Sequence, residues 1–252
     1  MSKYMEERYL RRNSSEPFFI SVAKDGVRGH SVVNKFGANF DIDTGTDPES
    51  VWTGGGLYPW SSLSTEQTIY CISTSSSDTN TLEIEGLDND FNIQIETITM
   101  TGLTAVATTN KFRRIYRMKY NGGSVNVGTI TARVTSGTGT VVAQVDAGYS
   151  QTLMAVYTVP ANHTAYMLCL DASLNKAEDG NLRLYQRPYE ESFKIAHMAE
   201  IYESSYRYDF PIPLKFTEKT DLDMRLADVE TNNTRCTSNF ALLLVNDNDV
   251  SS

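Results

Sequence analysis

Short runs of alternating apolar and polar residues dominate the chain from residue 66 onward. In the run TLEIEGLD, Leu82 and Ile84 fall on one face and the intervening glutamates fall on the other, because successive side chains of a strand point to opposite faces. Turn-forming residues separate such runs about every ten residues, a spacing typical of a β-sandwich or barrel. The pattern therefore predicts an all-β fold.

The strand-like runs form two sets, over residues 61–148 and 149–252. We predict that each set builds one β-sandwich (jelly-roll-like) module; one large jelly roll with insertions is the alternative. Two hairpins are predicted, at the pair Asn121-Gly122 and at the turn SGTG. Residues 193–210 fit helix and strand templates about equally well, and we predict mostly strand.

The first sixty residues lack this regularity. The charged segment 1–16 predicts a short helix or a loose arm, and Pro17–Asp25 predicts a first strand. Residues 26–60 show little periodicity, and a stretch of this length is either disordered or ordered by contact with something else. Three aromatic residues in it are too apolar for solvated coil. We therefore expect an extended N-terminal arm, residues 1–60 with the first strand, that packs on its own domain or on a neighbouring subunit through Trp52, Tyr58 and Trp60.

The charge of the chain narrows the range of partners. Lys and Arg number 22 against 31 Asp and Glu, which gives a net charge of -9. A chain this acidic lacks the positive field that sequence-independent binding to nucleic acid or to an anionic membrane requires. Proteins or sugars are the partners that we expect. The three cysteines are widely spaced and predict small buried side chains rather than disulfides or a zinc site: Cys71, Cys169 and Cys236.

One acidic loop has the spacing of a possible cation site. Asp41, Asp43 and Asp47 alternate around Gly45, and such carboxylates can wrap a hard cation such as Ca²⁺. The loop lacks the twelfth-position glutamate and flanking helices of an EF-hand. An Asx-rich turn leading into Pro48 explains the same residues, and we favour that reading. We therefore predict no metal and no other cofactor.

KFRRIYRMKY is the one basic cluster of the chain. A basic strand with aromatic residues can follow a nucleic-acid strand, but the acidic remainder of the chain opposes this role. We expect Arg113 and Arg117 to pair with acidic residues of the same sheet or of an adjacent subunit. The intramolecular candidates are Glu83, Glu85 and Glu96.

Catalytic signatures are missing from the sequence. There is no GxSxG, HExxH, P-loop or GxGxxG motif, and the three histidines lie in separate segments. A Ser/His/Asp triad can be composed from so many serines and aspartates in many ways, so none is selected. We predict that the protein is not an enzyme.

Several segments of the sequence resemble a family of β-rich virion structural proteins of tailed phages, especially marine ones. The resemblance begins at about residue 29 and covers most of the chain from there. It rests on residues 36–60, 81–102, 107–120, 151–167, 213–233 and 240–245. It implies a particle component present in many copies, without a cofactor or a known active site.

These observations lead to one expectation and one rival. We expect a non-enzymatic virion structural protein, made in the host cytoplasm, that assembles as a homo-oligomer on the outer capsid as a decoration, cement or head-fibre protein. Its partners are copies of itself and other virion proteins, the major capsid or tail proteins. The interface candidates are Trp52, Tyr58, Trp60, Arg113 and Arg117. The rival is a tail component or a receptor-binding or carbohydrate-binding tail protein, which implies a host surface glycan as partner.

Overall fold

The computed structural model describes residues 16–45, 47–175, 178–202 and 204–250. The predicted charged helix or arm over residues 1–16 lies outside the described residues except for Glu16. The helices are α1 (Phe18–Ala23), a 3-10 turn (Trp60–Leu63) and α2 (Asp247–Val250). The strands are β1 (His30–Ile42), β2 (Glu49–Ser50), β3 (Gln67–Ser73), β4 (Thr81–Leu87), β5 (Ile93–Thr99), β6 (Val106–Phe112), β7 (Arg114–Asn121), β8 (Ile130–Arg133), β9 (Val141–Val145), β10 (Val156–Thr158), β11 (His163–Leu174), β12 (Gly180–Arg187), β13 (Lys194–Ile201), β14 (Ser205–Phe216), β15 (Asp221–Ala227) and β16 (Thr234–Asn246).

The strands form four antiparallel sheets, and the predicted all-β fold is confirmed. Sheet A has the order β1-β16-β11-β14, and sheet B has the order β10-β15-β12-β13 with β2 also paired to β15. Sheet C has the order β6-β3-β8-β9, and sheet D has the order β5-β4-β7. The predicted strand content of residues 193–210 is also confirmed, because this segment forms β13 and the first half of β14.

Two hydrophobic cores lie between these sheets. One core is built from buried side chains of sheets A and B, with Met167, Met224 and Phe240 among its members. The other is built from sheets C and D and includes Ile69 and Met118. Alternate residues of strands such as β3, β4 and β16 enter a core, as expected for strands that are covered on one face. We refer to the two halves as sandwich AB and sandwich CD.

The segment predicted as an extended arm contributes a full strand to sandwich AB, so the arm prediction is wrong for this part of the chain. Strand β1 pairs along its length with β16, from His30 opposite Val245 to Ile42 opposite Thr234. The sequence pattern does not predict this strand because two polar residues, Lys35 and Asn39, interrupt its alternation although both are buried. Hydrophobicity alone does not reveal which face of such a strand is covered.

Residues 18–23 form helix α1, whereas the sequence predicted a strand there. The Pro17 carbonyl accepts hydrogen bonds from the Ile20 and Ser21 amides, and the helix ends before Asp25, which has a φ of 55°. Proline fits the start of a helix because its φ is already helical. A short apolar run such as FFISVA does not distinguish the two structures by periodicity.

The two predicted hairpins have different outcomes. Strands β8 and β9 form the hairpin across the SGTG turn, as predicted. The pair Asn121-Gly122 does not join a hairpin, because β7 lies in sheet D and β8 lies in sheet C. Neither residue has the positive φ of a type I′ turn. A Cβ atom at Gly122 would lie 2.3 Å from the Asn80 side chain, so close packing explains this glycine.

The cysteines are free thiols in the structure. Cys71 and Cys236 are buried, as predicted, and burial raises the pKa of each thiol to about 12. Cys169 is only half-buried. Among the described residues, no helix is long and apolar enough to cross a membrane.

Sandwich CD lies between β2 and β10 in the sequence, so the chain leaves sandwich AB and later returns to it. At the return point the Ala155 amide donates to the Val51 carbonyl at 2.9 Å. Gly37 of β1 packs directly on this crossing. A Cβ atom at Gly37 would lie 2.2 Å from the Val51 oxygen and 2.3 Å from the Ala155 nitrogen. Backbone atoms cannot give way as the end of a side chain does, so this position requires glycine.

We expect Gly37→Ala to lower the free energy of unfolding by about 1–3 kcal/mol or more. The added methyl group would overlap the backbone oxygen of Val51 and the backbone nitrogen of Ala155. Gly123→Ala is the matched control. Gly123 lies in an open loop, where an added methyl group would have no atom within 4 Å, and its substitution should change stability by less than about 1 kcal/mol. Urea unfolding followed by circular dichroism measures both. Equal stability of the two variants would contradict the close approach at Gly37.

Candidate functional site

Strand β15 carries a charged face that is buried between the two sandwiches. Its sequence DLDMRLA alternates, with Leu222, Met224 and Leu226 in the core of sandwich AB. The opposite face presents Asp221, Asp223 and Arg225, which have exposed fractions of only 2%, 0% and 7%. Residues from sandwich CD and from the segment that precedes it cover this face. Burial of charge is costly unless the charges pair, so the partners of these three residues define the junction.

Asp221 binds two arginines from different parts of the chain. Arg114 of β7 donates from Nε and Nη2 to the two carboxylate oxygens, at 2.8 Å and 3.0 Å. Arg187 at the end of β12 donates from Nε and Nη2 to Oδ2, at 2.9 Å and 2.6 Å. The Thr158 hydroxyl adds a hydrogen bond to Oδ1 at 2.6 Å. Bidentate arginine–carboxylate pairs are the most directional ion pairs in proteins, so this carboxylate fixes sheet D against sheet B.

Asp223 gathers a second group of donors on one oxygen. Its Oδ2 accepts from Trp60 Nε1 at 2.9 Å, from Ser50 Oγ at 3.1 Å and from Arg225 Nε at 2.9 Å. Its Oδ1 is buried and has no hydrogen-bond partner. Burial raises the pKa of this carboxyl, and the positive charge of Arg225 opposes that rise. We call these residues with Arg114, Asp221 and Arg187 the junction cluster.

Aromatic rings separate and cover the guanidinium groups of the junction cluster. The Arg225 guanidinium carbon lies 4.3 Å from the Tyr185 ring centroid, and that of Arg187 lies 4.5 Å from the Phe193 centroid. Trp60 receives two guanidinium groups, those of Arg114 at 5.4 Å and Arg187 at 5.5 Å. Cations are attracted to ring faces, most strongly where water is excluded. The rings thus help to stabilise three arginines, which have only two buried aspartates as ion-pair partners.

A cleft of about 350 Å³ opens beside the junction cluster. Its walls come from the 3-10 turn, from the start of β7 and from the loops that precede β13 and β15. The lining residues are Trp60, Ser61, Ser64, Arg113, Arg114, Arg187, Pro188, Tyr189, Glu190, Glu191, Lys219 and Asp221. The volume falls in the range of about 300–1,000 Å³ that is typical of small-molecule sites. The structure therefore places polar and aromatic side chains around one recess where the two sandwiches meet.

The structure corrects the assignment of Trp52, Tyr58 and Trp60 to an oligomer interface. All three are buried within the chain. They stack edge to face, with centroid distances of 5.2 Å from Trp52 to Tyr58 and 4.7 Å from Tyr58 to Trp60. Burial raises the pKa of the Tyr58 hydroxyl, which donates to the Ile115 carbonyl at 3.3 Å. Packing on the chain's own sandwiches, one of the two alternatives predicted for these residues, is the arrangement observed.

Neither Arg113 nor Arg117 pairs with the acids predicted for them. Arg113 donates to the Asn89 side chain at 3.2 Å, and Arg117 donates to the Asn34 carbonyl at 2.8 Å. Lys119 pairs with the glutamates of β4 instead, at 3.1 Å to Glu83 and in a closer contact to Glu85. The register places Lys119 opposite Glu83 and Arg117 opposite Glu85, but the Arg117 guanidinium donates to the Asn34 carbonyl instead of to Glu85. The third acid, Glu96, accepts from the Thr109 and Asn110 amides.

The acidic loop is organised by hydrogen bonds within the chain. The Asp43 amide donates to Glu49, and the Asp43 carboxylate accepts from the Asn233 amide at 3.3 Å. Glu49 also accepts from Asn39 and from the Gly56 amide. Asp41 and Asp47 are exposed. Over the described ranges, no three His, Cys, Asp or Glu side chains are grouped so that they could hold a metal ion.

Strands β13 and β14 and the connection between them bear a group of exposed apolar side chains. We call these residues the edge surface: Ile195, Met198, Tyr202, Tyr208 and Ile212. Ile212 is 83% exposed and lies between two prolines in a four-residue bulge opposite β11. Such a bulge projects its side chain rigidly because proline fixes the backbone.

The inner side of this edge is closed by a histidine among aromatic rings. The His197 ring lies 5.1 Å from Tyr208 and 5.4 Å from Phe210, between centroids, and its Nε2 is 3.0 Å from the Tyr206 hydroxyl. Burial lowers the pKa of His197 below its ordinary value. This aromatic cluster connects the edge of sheet A to the edge of sheet B.

Comparison with known proteins shows only distant similarity. No protein-family model and no curated protein matches the chain. The crystal structure of PBSX exported protein XepA is 11% identical, with a TM-score of 0.20, over 84% of this chain and 86% of that one. The structure of the infectious bursal disease virus Gx strain is 10% identical, with a TM-score of 0.18, over 92% of this chain and 77% of that one. Similarities this low carry no argument about fold or function.

We expect Arg114→Met to lower the free energy of unfolding by about 3 kcal/mol, because it leaves part of the Asp221 charge buried without a partner. Lys111→Met is the matched control, since it removes an exposed cation that lies 3.7 Å from Glu66. Its effect should stay below about 1 kcal/mol. Guanidinium unfolding measures both variants. Equal losses would show that the junction cluster does not hold the two sandwiches together.

We expect stability to fall on acidification through His197. Its pKa is lower in the folded chain, so the unfolded chain binds the proton more readily. The stabilisation of the neutral ring is therefore complete above the unfolded pKa of about 6.5 and is lost as the pH falls through the folded pKa. The urea midpoint of the parent protein should drop more between about pH 7.5 and about pH 5 than that of His197→Phe. Parallel pH profiles would contradict this role.

Proposed function

We propose that this chain is a non-enzymatic structural protein of a phage particle. It assembles as a homo-oligomer on the outer capsid, in the manner of a decoration, cement or head-fibre protein. The sequence resemblance to virion proteins of tailed phages supports the placement on a particle. The all-β architecture supports a role as a rigid building block. The observation that carries the assembly step is the edge surface.

The edge surface has the composition of a contact region rather than of an ordinary solvated face. Soluble monomers scatter single apolar residues over their surface, whereas clustered ones on neighbouring elements mark sites of association. Aromatic residues and methionine are enriched in interface cores, and the edge surface has two tyrosines and a methionine. Ile212, held out between Pro211 and Pro213, has the form of an anchor that enters a partner's recess.

A second copy of this chain is the partner that we propose for the edge surface. Strands β13 and β14 are both edge strands, so each leaves one side without a neighbour in its sheet. Side-by-side association of two such edges buries apolar side chains and covers unpaired backbone groups at the same time. Particle sites are repeated by symmetry, so a closed ring of copies is the natural assembly. Other virion proteins then contact the outside of this ring.

We expect Ile212→Asp and Met198→Asp to dissociate the oligomer, because each places a charge in the centre of the proposed contact. Loss of one anchor should weaken association by about 30-fold or more. Leu103→Asp is the matched control, because Leu103 is exposed to a similar degree but lies in the turn between β5 and β6. Size-exclusion chromatography with light scattering gives the molecular mass of each. A monomeric parent protein, or an oligomer unaffected by both edge variants, would contradict the proposed interface.

The placement on the capsid is tested by the copy number of the protein in purified particles. We expect densitometry of the separated virion proteins to give a copy number comparable to that of the major capsid protein. A copy number like that of a tail fibre would contradict a capsid role and support the tail protein instead. The parent protein should also rebind to particles that have been stripped of it, whereas Ile212→Asp should not.

A further inference from the structure

The cleft beside the junction cluster contains two cations that its own carboxylates do not neutralise. The Arg113 guanidinium contacts neutral groups, namely Asn89 and the rings of Phe91 and Tyr189, whose centroids are 4.7 Å and 5.8 Å away. Its Nε is buried and has no hydrogen-bond partner. The Lys219 ammonium lies 5.5 Å from the Tyr189 centroid and 6.0 Å from the Phe91 centroid. Within the described part of the chain, neither cation forms an ion pair with a carboxylate.

The remaining charges of the cleft leave this excess in place. Asp221 already forms ion pairs with both Arg114 and Arg187. Glu191 pairs with Lys194, and Glu190 is exposed at the rim. The cleft thus has a local surplus of positive charge in a chain whose net charge is -9. Recesses with low-dielectric walls focus such a field, so an anionic group is attracted to this place on the surface.

The acids that line the same cleft restrict the kind of anion. Asp221 and Glu191 are held in ion pairs, but Glu190 has no ion-pair partner among the described residues, and its charge would repel a phosphate dianion more strongly than a carboxylate monoanion. Hydroxyl groups, in contrast, donate hydrogen bonds to carboxylates and to serines such as Ser61 in the 3-10 turn and Ser64 directly after it. A ligand with one carboxylate and several hydroxyls fits both features. The charge pattern therefore favours a sugar acid over a nucleotide or a free phosphate.

The aromatic lining suits a sugar ring as well. Tyr189 is 44% exposed at the cleft, and its ring stacks edge to face on Phe91 at a centroid distance of 5.5 Å. A tyrosine held in this way presents an apolar surface with little loss of conformational freedom on binding. The backbone of Lys219 is fixed too, because its amide donates to the Val159 carbonyl at 2.8 Å. The site is largely formed before any ligand arrives.

We propose that this cleft binds an acidic sugar residue of a polysaccharide. Arg113 and Lys219 bind the carboxylate, and Tyr189 packs against the ring. Glu190, Ser61 and Ser64 accept hydrogen bonds from the hydroxyls. The cleft shares no residue with the edge surface, so this binding does not depend on the proposed assembly.

Binding is tested by calorimetric titration with trisaccharides of galacturonate, mannuronate and sialic acid, each compared with its methyl ester. The ester keeps every hydroxyl and removes only the charge. We expect saturable binding of at least one acid form and binding of its ester that is about tenfold weaker or more. No binding of any acid form at millimolar concentration, or equal binding of acid and ester, would overturn the proposal.

Substitutions locate the site. Lys219→Gln and Arg113→Gln should each weaken the acid form by about tenfold, and Tyr189→Ala should weaken both acid and ester. Lys215→Gln is the matched control, because it removes an exposed lysine of β14 that does not line the cleft. Thermal unfolding confirms that each variant is folded. Unchanged binding in the cleft variants, or full displacement of the sugar by an equal concentration of inorganic phosphate, would contradict the assignment.

Discussion

The burial of two aspartates on one strand is the constraint on which the rest of this structure depends. Asp221 and Asp223 lie on the face of β15 that points away from the core of sandwich AB. A carboxylate in such a place is stable only if its charge and its lone pairs are satisfied. The donors come from β7, from β12 and from the segment that leads into sandwich CD, through Arg114, Arg187 and Trp60. The hydrogen bonds and ion pairs of these two carboxylates therefore fix the relative position of the two sandwiches, and apolar side chains pack around them.

The same constraint shapes the surface nearby. Three arginines converge on two carboxylates, and aromatic rings rather than further acids compensate for the difference. Where the cluster meets solvent, this arrangement continues as a recess that is rich in cations and rings. The cleft that we propose to bind an anion therefore forms where the junction cluster meets the loops that precede β13 and β15.

The all-β fold, most strands and the burial of Cys71 could be predicted from the sequence. A strand with one face on the core alternates apolar and polar residues, and this alternation is visible locally. The sequence did not allow the junction to be predicted. Asp221 and Arg114 occupy positions that a solvent-exposed strand face would also fill with charge, and nothing local shows that another module covers them. The basic run is evident in the sequence, but nothing in it distinguishes the buried Arg114 from its neighbour Arg113. The apolar character of Trp60 predicts its burial, but its hydrogen-bond partner lies 163 positions away along the chain.

The pairing of β1 with β16 joins segments about 200 residues apart, with His30 opposite Val245. Sandwich CD, in contrast, draws its strands from one continuous stretch, β3 to β9. Local contacts form early and distant ones late, so sandwich CD can complete its core on the ribosome while β1 still lacks its neighbour. An unpaired strand edge invites association with other chains. During synthesis of many copies at once, sandwich AB is therefore the half at risk of exchanging its first strand between molecules before the last strand has been made.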